Sequence, residues 1–180
     1  MKKIPLSEPY LTGNESKYLK NCIKSNYLSG SGNYVKEFES EVSRFTKSKY
    51  AIGIINGTSA LQIALRVLNL NFGDEVLVPS LTFIATINAI KYNNCEPVFM
   101  DVNNDYNIDS EKTIEFIKQN TTYKNGKSYN NRSKKVIAAI IIVHVWGNAT
   151  KIDSLYKICK KRNIKIIEDA SESFGTFFKT

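Results

Sequence analysis

Residues Ile164–Gly175 read I-K-I-I-E-D-A-S-E-S-F-G, and the choice of fold turns on them. Ile164, Ile166 and Ile167 make a short apolar run of the kind that forms a buried strand. Glu168 and Asp169 stand where that strand ends, followed by small residues, a third acid at Glu172, and Gly175. In open α/β sheets ligands sit beyond the carboxyl ends of the strands, so an acid here is placed to meet a cationic group. By itself the stretch reads as a solvated strand-end loop. Three other stretches change that reading.

Upstream, Val136–Val143 is almost wholly apolar and is expected to be a central strand, ending in His144-Val145-Trp146-Gly147-Asn148. Between these two strands Ile152, Leu155, Tyr156 and Cys159 recur at helical spacing. Strand, helix, strand in that order is a parallel crossover. Asn120–Lys135 is polar, and its Asn125-Gly126 pair is a strong hairpin signal, so a hairpin excursion is placed at about 120–135. Asp109–Gln119 reads as a helix. Val76-Leu77-Val78 is a buried strand running into Pro79-Ser80-Leu81-Thr82-Phe83, followed by a helix over Ile84–Tyr92 and a strand over Pro97–Met100.

Nearer the start, Tyr50–Ile55 is a strand candidate leading into Asn56-Gly57-Thr58-Ser59-Ala60, after which Leu61, Ala64, Leu65 and Leu68 mark the core face of a helix. Glu15–Lys24 is helical, and Val35, Phe38, Val42 and Phe45 recur along one helix face. Ile4–Asn14, with two prolines and Gly13, is an extended arm. Gly30-x-Gly32 lacks the third glycine and the preceding strand of a dinucleotide fingerprint. The expected fold class is α/β: a mostly parallel sheet with flanking helices, and no interior linker.

At 180 residues and 42% hydrophobic content the chain can bury one sizeable core. Its net charge of +8 is spread out, without a basic stripe interleaved with aromatics, so no nucleic-acid partner is expected. The cysteines Cys22, Cys95 and Cys159 are unclustered and suggest neither disulfides nor a metal site. With no apolar leader and no membrane-length stretch, a cytoplasmic setting is expected.

Four strand ends therefore carry Gly57-Thr58-Ser59, Thr82-Phe83, His144, and Asp169 with Glu172. The first, before a helix, is an anion cradle, although Thr58 or Ser59 serves equally as a helix cap. Phe83 offers a flat face, or is ordinary core. His144, the single histidine, reads as a satisfied structural histidine more readily than a catalytic one. A phosphate, a flat ring and a protonated pyridine nitrogen are the needs of pyridoxal 5′-phosphate, whose cationic ring is an electron sink.

The motifs then resemble those of a family. I-P-L-S-E-P-Y at 4–10, N-G-T-S-A-L at 56–61, G-D-E-V-L-V-P-S-L-T-F at 73–83, V-H-V-W-G-N at 143–148 and I-I-E-D-A-S-E-S-F-G at 166–175 follow the order of the DegT/StrS sugar-nucleotide aminotransferases, which are fold-type I pyridoxal phosphate enzymes. The chain is similar to their N-terminal half. The resemblance implies that residues 1–180 are an incomplete cofactor-binding large domain with an arm at 1–14, lacking the C-terminal small domain. It implies cofactor contacts from Gly57, Thr58, Ser59, Phe83, Asp169 and Glu172: Thr58 and Ser59 on the phosphate, Phe83 on the ring, Asp169 on the pyridine nitrogen and Glu172 near the ring hydroxyl.

The family's Schiff-base lysine lies beyond Thr180, and Lys179 is not its equivalent, so no catalytic residue is expected in this chain and none of the chemistry by the chain alone. The implied partners are glutamate and a nucleotide-linked 4-keto-6-deoxy sugar, in a homodimer for the full-length protein. The arm and the hairpin excursion resemble the branch acting on UDP-linked sugars towards legionaminic acid or bacillosamine-type products; perosamine synthases are similar. The competing readings are a non-catalytic remnant, or half of a split enzyme, that binds cofactor or partner only. A Rossmann oxidoreductase is disfavoured by the missing glycines.

Overall fold

The structure is a computed structural model that describes residues 4–5 and 8–177. It divides into two compact units, Met1–Gly53 and Ile54–Thr180. The first holds α1 (Glu15–Ser25) and α2 (Asn33–Thr46), ending in the left-handed residues Asn26 and Lys47 respectively. Tyr18 and Tyr34 join them, their ring centroids 5.0 Å apart, and Asn21 Nδ2 donates to the Tyr34 hydroxyl. The face expected to be buried on α2 is not: no residue of either helix is buried, and Phe38 is 60% exposed.

Tyr50–Ile55 is likewise not a strand. A strand exists only through its ladder partner, and the Gly53 N–H goes instead to the Glu39 carboxylate at 2.8 Å.

The second unit is a six-stranded sheet. Its elements in order are α3 (Gly57–Val67), β1 (Glu75–Pro79), α4 (Ile84–Tyr92), β2 (Glu96–Met100) and α5 (Ser110–Gln119), then β3 (Thr121–Lys124), β4 (Lys127–Asn130), β5 (Val136–Val143), α6 (Asp153–Lys161) and β6 (Lys165–Asp169). β1 runs parallel to β2 on one side and to β5 on the other, and β6 runs parallel to β5. Ile137 pairs with Glu75 of β1 and also with Ser128 of β4, so β4 lies on the edge of β5 opposite β1. β6 takes that same edge further on, at 139–143.

Alternation along the strands sorts the core into two faces. Val76 and Val78 of β1, with Ala139, Ile141 and Val143 of β5, pack against Leu61 and Leu65 of α3 and Ala89 and Ile90 of α4. Leu77, Ile140 and Ile142 face the other way, onto Ile117 of α5 and Leu155 and Cys159 of α6. Helices on both faces explain why β5 is apolar without alternation. Tyr156, expected on the inward face of α6, is 52% exposed. The hairpin forms as expected: Asn125 and Gly126 both have positive φ, 52° and 76°, the left-handed pair that a two-residue turn between twisted strands requires.

Burial also ranks the thiols. It pushes Cys159 up to about 12 and raises Cys95, with Asp74 and Glu96 adding to the effect. Because the folded state retains the Cys159 proton longer than the unfolded chain does, this thiol costs stability as pH climbs above the ordinary thiol value towards 12, and has no such effect below it. With a thiol reagent at pH 8, the half-buried Cys22 is expected to react first, and Cys95 and Cys159 only on unfolding. Equal rates for all three under native conditions would contradict the burial order.

Candidate functional site

The carboxyl ends of β1, β5 and β6 open onto one cavity of about 470 Å³, with the start of α3 on its wall. Parallel strands bring their ends to the same side of the sheet, which is why residues so far apart in sequence meet there. Gly57, Thr58, Phe83, Asp169 and Glu172 all line it, as do His144 and Trp146. Ser59 does not line it; its N–H donates to Asn56 Oδ1 at 2.8 Å. Asn56 is therefore the helix cap, and the capping alternative for Thr58 and Ser59 falls away.

That cap leaves the N–H groups of Gly57 and Thr58 without a hydrogen-bond partner among the described residues, as the first turn of any helix does. A Cβ added at Gly57 would lie 3.5 Å from Ser171 Oγ, so the start of α3 approaches the loop after β6. Phe83 precedes α4 and is 78% exposed. Ordinary core is excluded for it within this unit.

Asp169 closes β6. Its Oδ1 accepts from Ser171 Oγ at 2.6 Å and from the Ser171 N–H at 3.1 Å. Its Oδ2 has no hydrogen-bond partner among the described residues. Glu172 Oε2 accepts the Trp146 N–H at 2.7 Å.

His144 is 8% exposed and bonded at both nitrogens. The Thr150 N–H donates to Nδ1 at 3.0 Å, with the Thr150 hydroxyl 3.2 Å away. Nδ1 thus accepts, Nε2 carries the proton, and Nε2 donates to Glu168 Oε2 at 3.1 Å. This is the satisfied histidine that the sequence favours. Glu168 and Asp169 leave the strand on opposite sides, so one acid ties down the histidine and the other faces the cavity.

Asn107 was given no role from sequence. Buried to 3% exposure, it accepts the Val145 N–H at 2.9 Å and donates to the Asn148 carbonyl at 3.1 Å, fixing the loop after β5. No local signal marks it. No lysine lines the cavity, among the described residues, and Lys179 lies outside them. The described residues hold no cluster of three metal-ligating side chains, and no helix among them is long and apolar enough to cross a membrane.

Residues 9–180 match the DegT/DnrJ/EryC1/StrS aminotransferase family. The chain belongs to that family. Among its members, a GDP-perosamine synthase of Escherichia coli O157:H7 is 37% identical over 179 residues, covering 99% of this chain and 45% of the relative. Among solved structures, E. coli GDP-4-keto-6-deoxy-D-mannose-3-dehydratase with bound hydrated pyridoxal phosphate superposes with a TM-score of 0.82 at 26% identity, over 99% of this chain and 43% of that one. A variant of GDP-4-keto-6-deoxymannose-3-dehydratase with bound GDP-perosamine gives 0.82 at 26%, over 98% and 43%. The chain thus spans less than half the length of these relatives. They share its mostly parallel α/β fold.

Proposed function

We propose that this chain supplies the cofactor cradle of a pyridoxal phosphate-dependent enzyme that transfers an amino group, from glutamate, to a nucleotide-linked 4-keto-6-deoxy sugar. The observation that carries this reading is one cavity that combines a helix start, an exposed aromatic face and a carboxylate, with N–H groups and a carboxylate oxygen unengaged among the described residues. These donors fit the cofactor's three parts. When bound, it supplies an electron sink and carries the amino group between donor and acceptor.

In this reading the Gly57 and Thr58 N–H groups and the Thr58 hydroxyl bind the phosphate at the positive end of α3. The Ser59 hydroxyl, on the same turn, is the second side-chain donor. Phe83 covers one face of the ring and keeps water from it. Asp169 holds a proton at the pyridine nitrogen, and Ser171 orients the carboxylate through Oδ1. Glu172 stands beside the ring hydroxyl while its Oε2 fixes the loop after β5. The amine that attaches the cofactor comes from outside the described residues, and the chain alone does not turn over.

Two observations bear on the acceptor, and they differ. The arm and hairpin motifs resemble the UDP-linked branch towards legionaminic acid or bacillosamine-type sugars, and the 37% relative is by its name a GDP-perosamine synthase. The test is to supply the gene product carrying these residues with pyridoxal phosphate, glutamate and each 4-keto-6-deoxy sugar nucleotide, and to look for the amino sugar by mass. No amino sugar from either nucleotide series would sink the proposal. A second reading, a piece that binds cofactor or partner without turnover, is supported by the cavity wall holding no lysine among the described residues.

The phosphate role has its own check. Changing Thr58 and Ser59 together to Ala is expected to weaken pyridoxal phosphate about tenfold, because two hydroxyl donors are lost and the backbone donors stay. Most of that loss should follow Thr58, which lines the cavity. Unchanged affinity in an equilibrium titration would remove both hydroxyls from the site.

A further inference from the structure

Trp146 is held in an unusual way. Its φ of 52° and ψ of 32° are left-handed, a region that bulky side chains avoid and that costs on the order of 1–2 kcal/mol. Such strain persists only where the surroundings enforce it. Here Glu172 Oε2 takes the Trp146 N–H at 2.7 Å, Asn107 holds Val145 on one side, and Thr176 Oγ1 donates to the Gly147 carbonyl at 3.1 Å on the other. The Tyr106 ring meets the indole nearly edge-on, with centroids 4.9 Å apart. The result is not burial: Trp146 remains 65% exposed while lining the cavity. An aromatic strained into place, braced by one ring and left open to a cavity is arranged for a ligand rather than for the core.

We infer that Trp146 is the platform on which the hexose ring of the acceptor lies. This rests on the function proposed above. Phe83 already provides the flat face that the cofactor needs, so the cavity has a second aromatic to spare. The group that reacts with the cofactor must share its cavity, and in a nucleotide sugar that group is the sugar ring, with the base held further off. A hexose presents an apolar face of C–H groups, which packs on an aromatic plane. Glu172 is then a positioning residue for the platform, acting through the Trp146 backbone.

Trp146 is the single tryptophan of the chain, so its emission reports this one position. The probes are GDP-perosamine, UDP-N-acetylglucosamine, GDP and UDP, each titrated into the 180-residue chain at a fixed concentration of pyridoxal phosphate and again without it. Cofactor binding is followed separately by its own absorbance. One glycosylated nucleotide is expected to change the Trp146 emission, and the matching free nucleotide to leave it unchanged.

By calorimetry, Trp146→Ala should weaken that sugar nucleotide about tenfold, the usual cost of truncating a contacting aromatic, with Trp146→Phe restoring most of it. Glu172→Ala should weaken it too, and Glu172→Gln, which still accepts the N–H, should recover the affinity. An equal response to the free nucleotide would assign the platform to the base and overturn the inference. So would silence towards all four probes, judged alike with and without cofactor. Failure to bind pyridoxal phosphate shows in the cofactor's absorbance and counts against the proposed function instead, so the two failures stay distinct.

Discussion

Asp169→Asn, made in the gene product that carries this chain, is expected to lower turnover at least about 100-fold, roughly 2.7 kcal/mol of barrier, with the fold unchanged. The change is nearly isosteric. An amide oxygen can still accept from the Ser171 N–H and hydroxyl, which now bind Oδ1 at 3.1 and 2.6 Å, so the loop after β6 keeps its anchor. What is lost is the negative charge. A neutral amide does not hold a proton at the pyridine nitrogen, and without that proton the ring withdraws electrons weakly. Preorganised charge stabilisation is a large contribution to catalysis. The measurement is kcat for amino transfer, with circular dichroism as the check on folding. Activity within about threefold of the parent, roughly 0.65 kcal/mol, would remove Asp169 from the cofactor.

The parts of the fold legible in the sequence are those with local causes. Val136–Val143 reads as a central strand because both its faces are apolar, and Asn125-Gly126 reads as a turn because those residues tolerate positive φ. The location of the site follows from the parallel pairs, since they send the carboxyl ends of β1, β5 and β6 to one side.

What escaped depends on partners distant in the chain. Tyr50–Ile55 has a strand's composition, but pairing decides strands, and its Gly53 N–H finds Glu39. The α2 face of Val35, Phe38, Val42 and Phe45 has the right period, but spacing says nothing of what covers it. The cap of α3 is the local exception: Asn56 takes the Ser59 N–H three residues on, ahead of the two hydroxyls beside it. Trp146 carries no role in the sequence reading beyond its place in V-H-V-W-G-N at 143–148. Its left-handed backbone is held from other segments, by Glu172 on its own N–H, Asn107 on Val145 before it and Thr176 on Gly147 after it.

The lysines are where sequence and structure bear on one experiment. Mixing the 180-residue chain with pyridoxal phosphate, reducing with borohydride and digesting for mass analysis is expected to give scattered, substoichiometric modification and no single dominant lysine. Attachment needs an amine held within bonding reach of the cofactor's aldehyde carbon, and fixed placement is worth effective concentrations of about 10⁵ M or more.

No lysine among the described residues lines the cavity. Several are engaged elsewhere: Lys91 with Glu96 at 2.9 Å and Lys112 with Asp101 at 2.8 Å, while Lys124 lies over the Tyr129 ring. Such surface ion pairs are weak, so these amines will react with free aldehyde slowly and without preference. Cofactor bound through Gly57, Thr58, Phe83 and Asp169 would therefore be held without a covalent bond and released on denaturation. A stoichiometric adduct on one lysine, with amino transfer from glutamate to a keto sugar nucleotide, would show that a lysine of this chain reaches the cavity and that the chain is catalytic alone. A tight complex that reduction leaves unmodified would place the missing amine in a further segment or a second polypeptide.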